Sequence, residues 1–192
     1  VTLGALILVY RTGFREVTFL CLVIYSVYSV QHLLNPADDR LFVYACAFAA
    51  IFFLANIVGM VRRGSVNLAF DATLAFVNTL VLLAHIYTYV PEVWQSLTTA
   101  AWAVVFVAGS FIALRLTKDR RPFLIYAAVS AVCIAAATAF ELDGPALTIA
   151  LTIESALATF VIFTLTNNRS IAERTSFVML GSALLAVESM AS

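Results

Sequence analysis

The sequence predicts an all-α fold, a polytopic transmembrane helical bundle, and three observations predict it. Hydrophobic residues make up 63% of the 192 and charged residues 11%, against about 45–50% and about 25% in soluble domains. Apolar surface in that excess has to face lipid. The apolar residues fall in runs of about twenty, the length that crosses a hydrocarbon layer about 30 Å thick at about 1.5 Å per residue. Ten of the eleven basic residues occupy alternate gaps between those runs. The runs lack the period-2 alternation of membrane strands, which argues against a β-barrel.

The first run, Val1–Tyr10, is half a span. Without a basic region before it or a small-residue cleavage site, it is not a signal peptide. It reads as the tail of a helix, and the chain as a fragment of a longer protein. Seven complete spans are expected after it, near Phe14–Leu34, Leu41–Val61, Val66–Val90, Val93–Leu114, Pro122–Phe140, Pro145–Leu165 and Thr175–Met190, the last one short. Asn35-Pro36 breaks the chain after the first of them, and Gly13, Gly64 and Gly144 lie in gaps. Pro91, Pro122 and Pro145 stand in a first turn or just before a span, where a missing N–H is harmless. Tyr87, Tyr89 and Trp94 surround the Pro91 turn as an interfacial aromatic belt would.

The basic gaps are 11–15, 62–65, 115–121 and 166–174, and only Arg40 lies outside them. The gaps between carry Asp38 and Asp39, Glu92, and Glu141 with Asp143. Basic residues resist translocation, so the basic gaps are expected to be cytoplasmic loops of a multi-pass cell-membrane protein. They begin at Arg11, Arg62, Arg115 and Arg169, at separations of 51, 53 and 54 residues. That period divides one membrane region, 1–192, into repeat-like units 11–61, 62–114, 115–168 and an incomplete 169–192. Each unit is a basic loop, a helix out, an acidic turn and a helix back, so the spans are expected to form tandem antiparallel helical hairpins.

Helices in lipid associate through small residues in close contact. Ala127, Ala131, Ala135 and Ala139 recur every four residues, as do Ala146, Ala150 and Ala158 with Glu154 at the missing step; both faces are expected to be buried. Glu154 lies roughly 16 Å into its span from Asp143. An isolated charge there costs at least a few kcal/mol, so its carboxyl must be protonated, paired or turned to a wet cavity. It marks either a proton or substrate site or a neutral interhelical hydrogen bond. Asp71, Asn78 and His85 are spaced by seven, each step turning only about 20° around the helix, and Ala75 lies on the same side. They form a stripe that is either a polar path or an interface with Asp71 beside Arg62 or Arg63. His85 is expected at the membrane boundary, within reach of water. Asn56 reads as an interhelical hydrogen-bonding residue.

Other chemistry is poorly provided for. The basic residues are scattered over short loops, so no stripe tracks a nucleic-acid backbone. Cys21, Cys46 and Cys133 lie within apolar runs and read as small buried residues. Phosphate-loop, H-E-x-x-H and G-x-S-x-G motifs are missing, and His32 and His85 have no ligands at metal spacing. The single lysine, Lys118, lies in a loop, so no retinal Schiff base can form mid-helix. No catalytic residue, cofactor or metal is expected, and enzymatic activity is disfavoured. A transporter, permease or channel-like module is expected, with Glu154, Asp71, Asn78 and His85 lining a route for a proton or small polar solute. The alternative is a non-catalytic membrane scaffold or assembly subunit of a larger complex. The bilayer is a partner in both cases, and other membrane subunits in the second.

Trp102–Arg121, WAVVFVAGSFIALRLTKDRR, and Ile153–Arg174, IESALATFVIFTLTNNRSIAER, look like two copies of an apolar helix with a basic tail. Repeated about every fifty residues, that pattern resembles the large bacterial membrane proteins of the domain of unknown function 2339 family. The resemblance implies a many-helix integral membrane architecture and residence in a bacterial inner membrane. It brings no activity and no catalytic residue.

Overall fold

A computed structural model describes residues 4, 15–34, 40–63, 67–142, 146–147, 149–154 and 156–157. The chain divides into two compact units, 1–133 and 134–192. Five long helices are described: α1 (Arg15–Leu34), α2 (Arg40–Arg63), α3 (Leu68–Tyr89), α4 (Glu92–Thr117) and α5 (Arg120–Glu141). Each is long and apolar enough to cross a membrane. Their ends fall within three residues of the expected spans, and no strand occurs among the described residues. Val1–Tyr10 and Thr175–Met190 lie outside the described residues except for Gly4. Of Pro145–Leu165, residues 146–147, 149–154 and 156–157 are described, and they are helical.

Local chemistry sets the helix ends. The Asn67 side chain caps α3, its Oδ1 accepting the Phe70 N–H at 3.3 Å, as short polar side chains do at helix starts. At the other end of α3 the chain leaves the helix at Val90 and Pro91. Gln95 covers that end, its Nε2 donating to the carbonyls of Tyr87 at 3.1 Å and Val90 at 3.0 Å. α4 ends on Lys118 in the left-handed conformation, φ 56°, a position usually given to glycine or asparagine. Asp119 Oδ1 then accepts the Arg121 N–H at 3.0 Å, and Pro122 sits in the first turn of α5.

In the first unit α2 packs most extensively on α3, α1 rests on both, and α4 lies against α2 and α3. One apolar knot joins Leu22, Phe52 and Leu74, with Tyr25, Phe48 and Phe70 packed around them. A second joins three aromatic rings: Phe53 meets Phe106 at 5.4 Å and Tyr126 at 5.1 Å, both edge-on. Gly109 of α4 makes this knot possible. A Cβ there would collide with Phe53 Cζ, so the ring occupies the space a side chain would need. Apolar side chains such as Ile24 and Val27 of α1 and Leu97, Val104 and Phe111 of α4 point outward, as lipid-facing residues do.

The alanine faces differ from expectation. The buried face of α5 runs through Tyr126, Val129, Ser130, Cys133 and Ala137. Ala127, Ala131 and Ala135 are half-buried, and Ala139 is exposed, as is Ala146. One residue is about 100° of helix. Seating the Tyr126 ring against Phe53 and Phe106 therefore rotates the alanine stripe to the flank of the contact.

Gly109→Ala should lower stability by about 1–3 kcal/mol, the cost of overpacking a tight contact. Phe53→Leu in the same chain should recover part of the loss. Thermal unfolding in detergent checks both, and an unchanged melting temperature in the single variant would contradict the close approach.

Candidate functional site

The three stripe residues of α3 are all buried: Asp71 is 0% exposed, Asn78 3% and His85 3%. Ala75 is buried with them, so the stripe faces protein, as the small residue in it suggests. Successive members stand about 10 Å apart along the axis.

Asp71 and Asn78 meet α2 through a reciprocal pair of hydrogen bonds. Asn56 Nδ2 of α2 donates to the Asp71 carbonyl at 3.1 Å. Asn78 Nδ2 of α3 donates to the Ala49 carbonyl, also at 3.1 Å. Seven residues separate Ala49 from Asn56 and Asp71 from Asn78, and the two bonds run in opposite sequence order. The heptad that places Asp71 and Asn78 on one face of α3 thus matches a heptad on α2, and the two helices are antiparallel. The Asn56 side chain also meets the Tyr126 hydroxyl, and Asp71 lies within electrostatic range of that hydroxyl. Three helices therefore converge on one polar node within about two turns of the α2–α3 and α4–α5 connections.

His85 ends the stripe in an aromatic slot. Its ring is stacked between Tyr25 of α1, centroids 6.2 Å apart, and Tyr89, 5.9 Å apart. Its Nδ1 lies 2.7 Å from the Val81 carbonyl, which makes Nδ1 the protonated nitrogen. Tyr89 donates its hydroxyl to the His32 carbonyl at 2.8 Å, tying α3 to the last turn of α1. His85 was expected within reach of water; instead the two tyrosines cover it.

Glu154 belongs to the second unit. Its Oε1 accepts the Thr138 hydroxyl of α5, while its Oε2 is buried without a partner among the described residues. Thr138 differs in this from four other helical threonines. Thr73, Thr79, Thr88 and Thr117 all donate to the carbonyl four residues back, at 2.7–2.9 Å. Three more buried polar atoms have no partner among the described residues: His32 Nε2, Asn78 Oδ1 and Thr99 Oγ1. No group of three His, Cys, Asp or Glu that could hold a metal occurs among the described residues.

Several residues of this interior carry no sequence signal of their own. Gln95 and Thr99 sit in an apolar run like any interfacial polar residue, and Tyr126 reads as an ordinary aromatic in an alanine-rich helix. Asn56 is the exception, since an amide inside a span has few roles besides bonding another helix.

Five helices long and apolar enough to cross a membrane, with a polar, interhelically bonded interior, are consistent with a multi-pass integral membrane protein. The chain matches no family model, and no curated protein or solved structure matches it.

His85→Ala should open a void between Tyr25 and Tyr89 and cost about 2–4 kcal/mol, in the range of large-to-small core changes. His85→Phe keeps the ring stack and should cost less than half as much. Equal losses in calorimetry would show that the Nδ1 bond, rather than the stack, matters.

Proposed function

We propose that the chain is a membrane-embedded helical module whose polar interior fixes helix packing, a scaffold or assembly subunit of a larger complex. One observation carries the proposal: the buried amides of Asn56 and Asn78 are committed to backbone carbonyls across the α2–α3 contact. Such bonds hold helices at a set register. In the same picture the chain has seven full spans and part of an eighth. They are tandem antiparallel hairpins with 11–15, 62–65, 115–121 and 166–174 in the cytoplasm, set in a bacterial inner membrane. The likeness to the domain of unknown function 2339 family supports that arrangement without adding an activity. The partners are other membrane subunits.

Each carbonyl that receives an asparagine amide already lies in a helical ladder, so losing the asparagine leaves no orphaned acceptor there. Asn56→Ala and Asn78→Ala should each cost about 0.6 kcal/mol, up to about 1.7. The two bonds lie about 10 Å apart, so the double variant should lose nearly the sum. Melting in detergent and the recovery of co-purifying subunits check this. Full stability and assembly in the double variant would refute the structural role.

A second function, transport of a proton or small polar solute, is favoured by the unpartnered Asn78 Oδ1, Thr99 Oγ1 and Glu154 Oε2. On this view Glu154 is the coupling group. Glu154→Gln should abolish proton-coupled flux in proteoliposomes while the protein stays folded. If Gln leaves flux and growth unchanged and Leu merely destabilises, transport through Glu154 is ruled out.

A further inference from the structure

The turn between α4 and α5 carries four exposed basic side chains within seven residues: Arg115, Lys118, Arg120 and Arg121. Asp119 is the one acid among them, and its Oδ1 takes the Arg121 backbone N–H. Thr117 pins the turn from within, its Oγ1 donating to the Ala113 carbonyl at 2.7 Å and accepting the Asp119 N–H at 3.2 Å. The left-handed Lys118 closes it, donating its N–H to the Leu114 carbonyl at 3.0 Å. The cations are thus carried on a short, ordered turn.

Directly beneath them the surface is apolar and exposed. Phe111 is 54% exposed, Ile112 51% and Leu116 58%. Phe111 packs edge-on against Phe123 of α5 at 5.5 Å, so this ledge bridges both helices under the turn. Orientation of a span requires only the charges; it does not require an aromatic and aliphatic ledge below them. Cations at the end of a span, above lipid-facing side chains, match the two ends of a phospholipid.

We infer that the α4–α5 turn is a binding site for an anionic phospholipid, with the headgroup phosphate held by Arg115, Lys118 and Arg121. The acyl chains lie along Phe111, Ile112 and Leu116. Juxtamembrane basic clusters attract anionic headgroups in this way, and arginine presents a fork suited to phosphate oxygens. The inference rests on α4 and α5 crossing the membrane.

The test uses the full chain purified in mild detergent, with bound lipid counted by native mass spectrometry. Phosphatidylglycerol is compared with phosphatidylcholine of the same acyl chains, and with soluble glycerophosphate. Wild type should retain phosphatidylglycerol over phosphatidylcholine, less so as salt rises, and should not retain glycerophosphate. The triple variant R115Q/K118Q/R121Q should lower retention about a hundredfold, about fivefold for each basic residue removed. R40Q, in another gap, should leave it unchanged. Equal retention by wild type and triple variant, or equal retention of the two lipids, overturns the site. Binding of glycerophosphate as tight as that of the lipid would mark a free-phosphate site and overturns it as well. Resistance to alkaline carbonate extraction reports separately on whether the helices cross the membrane.

Discussion

The α2–α3 contact is the interaction on which the rest of this architecture depends. Between helices in lipid there is no water to expel, and association rests on close packing and interhelical hydrogen bonds. Here the two work together. Ala45, Ala49 and Ala75 are buried at the contact-bearing helices, and small side chains let the backbones approach. That approach brings the Asn56 and Asn78 amides within 3.1 Å of carbonyls on the facing helix. Once this pair is set, α1 rests on both members and α4 lies against both. The Phe53 ring, carried on α2, then fills the gap left by Gly109 of α4.

The same geometry limits what the polar stripe can do unaided. A proton relay needs groups that both accept and release a proton within hydrogen-bonding distance of one another. Asp71, Asn78 and His85 stand about 10 Å apart, and an amide side chain does not titrate. The Asn78 amide and His85 Nδ1 are already directed to backbone carbonyls. Charge along the stripe also follows depth. The acid lies in the first turn of α3, where a helix N-terminus favours negative charge, and the neutral amide lies midway. That ordering is what a structural stripe in low dielectric requires, and a continuous wire would need intervening groups that the stripe itself does not supply.

Much of this was legible in the sequence, and the rest was hidden for identifiable reasons. The five described helices follow from run length, and their ends from Pro91, Pro122 and the charged gaps, because bilayer thickness constrains a span more tightly than a soluble core constrains a helix. The burial of Asp71, Asn78 and His85 follows from the heptad spacing together with Ala75. Their partners do not follow, since Ala49 contributes only a carbonyl that every residue has. The alanine spacing in α5 misleads because a larger neighbour, Tyr126, has a ring knot to enter, and packing of a bulky ring outweighs a small-residue stripe one position away. The covered state of His85 was likewise out of reach, because it depends on Tyr25 from a helix sixty residues away.

Glu154 stands apart from this pattern. Asp71 lies near a helix start, and its carbonyl and neighbourhood are engaged by α2. Glu154 lies in the helical segment that follows α5, and the described residues offer it one donor, the Thr138 hydroxyl. Thr138 reaches it by giving up the backbone bond that Thr73, Thr79, Thr88 and Thr117 all make. A carboxyl with one oxygen served and the other buried and unserved is incompletely hydrogen-bonded, which is costly for a buried polar group. Its completion requires a bound polar solute or a donor from beyond the described residues. The first would make Glu154 a functional group and the second a helix-to-helix tie. The polar interior of the first unit is largely engaged with its own backbone, whereas Glu154 keeps one buried carboxyl oxygen without a partner among the described residues.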